Sequence, residues 1–114
     1  MADTIFDKIL KKEIPADVVY EDNDILAFND IAPQAPIHVL VIPKKKIESF
    51  SDLHNAACNE VGLLFQGVSK VAEKLGLSKD GYRVVLNCGK HGQQTVEYIH
   101  AHIMGGRQMQ WPPG

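Results

Sequence analysis

The segment Tyr98-Ile99-His100-Ala101-His102-Ile103-Met104 carries two histidines with one residue between them. Read as a strand, it turns Ile99, Ala101 and Ile103 to a core and Tyr98, His100, His102 and Met104 to the other face. The two imidazoles then sit on Cα atoms about 6.7 Å apart, close enough for both rings to reach one small ligand such as a phosphate. Two ordinary surface histidines would read the same way, so the neighbourhood decides. Immediately upstream runs Cys88-Gly89-Lys90-His91-Gly92-Gln93-Gln94-Thr95. Gly89 and Gly92 let the backbone turn sharply and present amide N–H groups, and Gln93, Gln94 and Thr95 add neutral donors suited to phosphate oxygens. The loop lacks the G-x-x-x-x-G-K-[ST] pattern and has no obvious Mg²⁺-binding carboxylates beside it, which excludes an ATPase or kinase. Metal-free chemistry on a phosphate ester or amide fits what is left.

Several elements must hold these residues. Asp3 is placed to cap a short helix over 4–12, where Ile5, Phe6, Ile9 and Leu10 form an apolar stripe before Pro15. Val18 to Tyr20 and Ile25 to Asn29 read as a hairpin around Glu21-Asp22-Asn23-Asp24. Pro33 and Pro36 stiffen the connection to a buried strand, His38 to Ile42, which begins on a histidine. From Asn55 to Leu75 apolar residues recur at steps of three and four, from Ala57 through Val61, Leu64, Val68 and Val71 to Leu75, a long helix capped by Gly76. Gly62 and Gly67 inside it are explained by close backbone packing. Strands Tyr82 to Asn87 and Tyr98 to Met104 follow. Helix, three strands, helix and two strands make an α+β fold with an antiparallel sheet, because an α/β fold would alternate strictly.

Composition narrows the partners. At 114 residues the chain is one domain, and its net charge of −2 argues against a nucleic-acid binder, which would carry a basic stripe. Lys44-Lys45-Lys46 follows Pro43 and reads as a solvated strand end. Cys58 and Cys88 lack C-x-x-C spacing, so reduced thiols are expected, and no apolar stretch approaches the ~20 residues of a membrane span. A cytosolic or nuclear compartment follows, with no membrane partner. A domain of this size has little stability margin, so dimerisation would help. His54 and His91 read as exposed spectators.

His100-Ala101-His102-Ile103-Met104-Gly105-Gly106-Arg107 and the continuation to Trp111-Pro112-Pro113-Gly114 closely resemble the carboxyl end of histidine triad nucleotide-binding proteins of the Hint branch. Asp3-Thr4-Ile5-Phe6, Phe28-Asn29-Asp30-Ile31, Pro33-Gln34-Ala35-Pro36-Ile37-His38 and Val41-Ile42-Pro43-Lys44-Lys45 extend the resemblance over almost the whole chain. It implies a single histidine triad domain over 1–114 with one long and one short helix, in a homodimer whose sheets join. Residues 105–114 would form a tail reaching the partner subunit, where Trp111 tunes specificity. The implied reaction is hydrolysis of the P–N bond of purine nucleoside phosphoramidates, or of related acyl and aminoacyl adenylates, without a cofactor. A purine nucleoside monophosphate would bind near each histidine strand.

Matched by position, His100 is the nucleophile that forms a nucleotidyl-histidine, His102 bonds phosphate oxygens or the leaving group, and His38 supports both. Asn87, Gln94 and Thr95 fall on phosphate-side donors, Asp30 on the acid that holds the ribose hydroxyls, and Ile5, Phe6, Ile9, Phe28 and Ile31 on the base pocket. Three positions depart from the pattern. Tyr98 replaces the first triad histidine, Gln93 a glycine that brings backbone to the phosphate, and Asn29 a histidine at the pocket edge. Tyr98 keeps a carbonyl that can orient His100, so altered activity is expected. Two alternatives stay open. One is a nucleotide-binding interaction protein that has lost turnover; the other is a zinc site of His38, His100 and His102, against which stands the lack of an evident carboxylate or thiol nearby.

Overall fold

Thr4 rather than Asp3 starts the first helix. In the computed structural model, which describes residues 3–114, helix α1 covers Ile5–Leu10. Thr4 and Asp7 form a capping box, each accepting the other's backbone N–H, while Asp3 pairs with Lys11. The helix stops well before Pro15 because Lys12 takes a φ of 62°. The expected hairpin follows as β1 (Val18–Glu21) and β2 (Ile25–Asn29), and β3 (Ile37–Pro43) extends the anticipated strand by one residue at each end. Phe50–Asn55 forms a 3-10 turn that hydrophobic spacing did not reveal, and helix α2 runs Cys58–Lys74, leaving Ala57 exposed as its N-cap.

The last two strands are shorter than expected. Strand β4 is Arg83–Val85, not Tyr82 to Asn87, and β5 is Ala101–Gly105, so Tyr98, Ile99 and His100 lie outside the ladder. The cause is Pro43. Val41 pairs with Ala101, and two steps further the register would set Ile99 against Pro43, which has no N–H to give. The Ile99 N–H turns instead to the Ile47 carbonyl (2.7 Å), and the Pro43 carbonyl accepts from the Tyr98 hydroxyl.

All five strands are antiparallel in the order β1-β2-β3-β5-β4, which makes an α+β fold. Helix α2 covers one face, packing Leu64, Val68, Val71 and Ala72 on Ile25, Val39, Val41, Ile99, Ala101 and Ile103. Helix α1 covers part of the other, where Phe6 meets Leu26, Phe28, Leu40, Ile42 and Tyr98. The alternation of residues 98–104 puts Ile99, Ala101 and Ile103 in the α2-side core as expected, although only part of the segment is strand and Tyr98 on the other face is itself core. Gly67 is a true close approach, since a Cβ there would lie 2.6 Å from Ile25 Cδ1; Gly62 has open space around it. Among the described residues, no helix is long and apolar enough to cross a membrane.

Candidate active site

His100 sits just before β5, its ring fixed by its surroundings. Its Nδ1–H donates to the Tyr98 carbonyl (2.7 Å), which leaves Nε2 as a lone pair, and the Phe6 ring stands edge-on to it with centroids 5.0 Å apart. The His100 and His102 rings are 5.0 Å apart between centroids, so the two imidazoles do share a site. His102 is oriented from β3. The Gln34 N–H donates to His38 Nδ1 (3.0 Å), which puts the His38 proton on Nε2, and this N–H donates to His102 Nδ1 (2.9 Å). The remaining proton of neutral His102 is thereby on its own Nε2. Among the described residues no buried side-chain N or O lacks a partner; Nε2 of His100 and of His102, bonded to nothing in the protein, therefore open to solvent. One face thus offers a lone pair and an N–H side by side.

Asp30 completes the cluster. Its N–H donates to the His38 carbonyl (2.9 Å), and one carboxylate oxygen accepts from the Ala32 N–H (2.8 Å). The other oxygen lies 3.4 Å from His38 Nε2. Asp30, His38 and His102 each bring a ligand atom within 4.8 Å of the others. This corrects the expectation that no carboxylate stands near the histidines, and it leaves His100 outside the set. Burial keeps both site imidazoles neutral. It pushes His102 down to about 4, helped by the neighbouring His100 and His38, and lowers His100 against the opposing pull of the Tyr98 carbonyl and Asp30.

Tyr98 differs most from expectation. Its side chain is 1% exposed and points into the α1-side core, so only its carbonyl serves the site. Burial raises its hydroxyl well above the usual phenol range.

The loop 88–95 folds as a tight turn in which the Gln93 N–H donates to the Lys90 carbonyl (3.1 Å) and the Gln94 N–H to the Gly89 carbonyl (3.0 Å). Gly89 has φ 68°, a Cβ on Gly92 would lie 2.5 Å from the Cys88 carbonyl oxygen, and Gln93 adopts φ 61°, a left-handed conformation that favours glycine. The Gln94 carboxamide is spent inside the protein, accepting from the Gly89 N–H (3.1 Å) and donating to the carbonyls of Glu48 (2.8 Å) and Val96 (3.0 Å). It shapes the loop instead of presenting free donors. Thr95 is exposed and Asn87 half-buried. Of the anticipated base pocket, Phe6 and Phe28 are core residues, Ile9 packs beside them, and Ile5 and Ile31 are exposed. Asn29 donates to Asp17 (2.8 Å). The lysine run is not free: Lys44 pairs with Glu21, Lys45 with Glu60 and Lys46 with Asp7. His54 and His91 are exposed. Trp111 is 81% exposed, its ring 6.0 Å from the Arg83 guanidinium on β4. What sequence reasoning missed is the Gln34 N–H that sets the His38 tautomer; a main-chain donor leaves no mark in residue types.

A five-strand antiparallel α+β protein with a neutral imidazole cluster at the mouth of its central strands is a defined class. Residues 11–109 match the model of the HIT domain, and the chain belongs to that family. It is 53% identical to a 14 kDa zinc-binding protein of Zea mays over 97% of this chain and 88% of that one. It superposes on the crystal structure of a HIT family hydrolase from Legionella pneumophila with TM-score 0.93 and 48% identity, covering 98% of this chain and 100% of that one. A histidine triad nucleotide-binding protein from Candida albicans gives TM-score 0.81 and 31% identity over 98% of this chain and 85% of that one.

Proposed function

We propose that this protein is a nucleotide-binding hydrolase that cleaves the P–N bond of purine nucleoside 5′-phosphoramidates and related adenylates. The observation that carries it is the fixed tautomer of His100, whose Nδ1–H is held by the Tyr98 carbonyl while Nε2 keeps its lone pair. In the first step Nε2 attacks phosphorus and the P–N bond breaks, the departing amine taking its proton from solvent while His102 Nε2–H hydrogen-bonds a phosphate oxygen or the leaving nitrogen. In the second, water attacks the phosphorus of the nucleotidyl-histidine, the bond from phosphorus to His100 Nε2 breaks, the water's proton is released to solvent, and the monophosphate leaves with His100 restored as the neutral imidazole. Asn87 and Thr95, with backbone N–H groups of the 88–95 loop other than those of Gly89, Gln93 and Gln94, stabilise the charge on the non-bridging oxygens, one such donor being worth roughly 3 kcal/mol. Asp30 takes the ribose hydroxyls, and Ile5, Ile9, Phe28 and Ile31 line the base. The hydrolase and nucleotide-binding names of the Legionella and Candida relatives support this reading.

A homodimer belongs to the same proposal. Strand β4 is a three-residue edge with Val84 38% exposed, and Arg83 on it anchors the tail by donating to the Gln110 carbonyl (2.9 Å). Both suit an edge-to-edge joining of two sheets, with Trp111 directed to the partner's site. The free thiols of Cys58 and Cys88 suit a reducing cytosolic setting.

The test is turnover of adenosine 5′-phosphoramidate by the parent protein and by His100→Ala, in chelator. Turnover by the parent alone is expected. No turnover with AMP still bound would replace the enzyme by a nucleotide-binding interaction protein.

A second reading rests on Asp30, His38 and His102, which fit a three-ligand zinc site, and on the zinc-binding name of the Zea mays relative. A zinc ion would supply a Lewis acid there, and holding it would engage the nitrogens through which His38 and His102 now bond each other. Zinc retained through dialysis, with turnover lost in chelator, would favour it.

A further inference from the structure

Helix α1 spans Ile5–Leu10, too short to hold itself in water, yet it delivers Phe6 to the edge of the His100 ring. Among the described residues one ion pair joins α1 to the sheet. Asp7 Oδ2 accepts from Lys46 Nζ (2.9 Å), and also from the Thr4 N–H (2.7 Å) and hydroxyl (2.8 Å). Lys46 belongs to the turn after β3, and its ammonium lies 5.7 Å from the centroid of the Tyr98 ring. The contacts close on themselves, because the Tyr98 carbonyl holds His100 Nδ1–H and Phe6, one residue before Asp7, abuts both His100 and Tyr98.

We propose that Asp7 and Lys46 are positioning residues for His100: their ion pair clamps α1 so that Phe6 holds the nucleophilic ring in line. His100 lies outside the β5 ladder, so its ring angle is set by one hydrogen bond and by packing. The imidazole torsion is broad by nature, and a displaced Phe6 frees it. The pair is partly shielded, with side-chain exposures of 16% for Asp7 and 30% for Lys46, so solvent screens it less than the other lysine pairs of the run. Burial opposes the charge on Asp7, but the hydrogen bonds from Lys46 and Thr4 prevail and bring its carboxyl down to about 2.

This inference rests on the proposed reaction, and the test separates the two. Lys46→Met keeps the aliphatic stem and removes the charge; Lys46→Arg restores it, and Asp7→Asn breaks the pair from the other side. For phosphoramidate turnover, kcat of Lys46→Met and Asp7→Asn is expected to fall about three- to thirtyfold, more than AMP affinity weakens through Ile5 and Ile9 of α1, as for a misaligned nucleophile, and to recover in Lys46→Arg. If the parent turns nothing over, the reaction reading fails while the clamp stays testable by ¹⁵N NMR of the His100 imidazole, whose single Nδ1–H tautomer should become a mixture in Lys46→Met. Parent-level kcat in Lys46→Met overturns the clamp whatever happens to Tm, as do unshifted His100 signals in a chain without turnover.

Discussion

His100 and His102 are neutral because they are buried, and that has a thermodynamic sign. Unfolded, both imidazoles bind protons near pH 6.5; folded, His102 resists down to about 4 and His100 also titrates below its ordinary value. Between those values the unfolded chain binds more protons, so stability is lost as pH falls from about 6.5 toward 4. For His102 alone the loss approaches roughly 3 kcal/mol below both values. The urea midpoint of the parent should therefore drop between about pH 7 and about pH 4.5, and the drop should be shallower in His102→Asn. At position 98 the backbone and side chain have separate duties. Tyr98→Phe should leave kcat near the parent while strand-end stability, read by thermal unfolding, falls by about 1–2 kcal/mol as the Pro43 carbonyl loses its buried donor.

At the scale of elements, hydrophobic period carried most of the reading. The hairpin and β3 were legible as short runs of β-forming residues bounded by turn residues and prolines, α2 because its buried residues recur by three and four, and the His100–His102 pairing followed from the alternation of the last strand. Boundaries set by single hydrogen bonds were not: the end of β5 depends on the missing N–H of Pro43 opposite Ile99, a partner that only the folded register defines. The bonding of Gln94 was hidden for a like reason, since its carboxamide bonds Gly89 within the loop and the carbonyls of Glu48 and Val96, partners that only the fold defines. Within α2 the two glycines should now part ways. Gly62→Ala should raise Tm, gaining up to about 1 kcal/mol of helix propensity in open space. Gly67→Ala should lower it, because Ile25 is 1% exposed and three of its side-chain carbons crowd the added methyl, a strain of about 1–3 kcal/mol.

At the scale of the whole molecule, the proposed homodimer turns on the edge strand β4. Light scattering should give twice the 12.6 kDa of one chain, and Val84→Lys on that edge should give the single mass. The sheet order also bears on how the protein comes into being. β5, the last strand in chain order, lies between β3 and β4, so β4 has no partner and β3 pairs on one side only until β5 has been synthesised. Until then the ribosome holds out a half-sheet whose apolar β3 has one bare edge, a surface for chaperones to guard. The proposed nucleophile, His100, directly precedes the strand that closes this gap, so the nascent chain cannot assemble the histidine cluster before its sheet is whole.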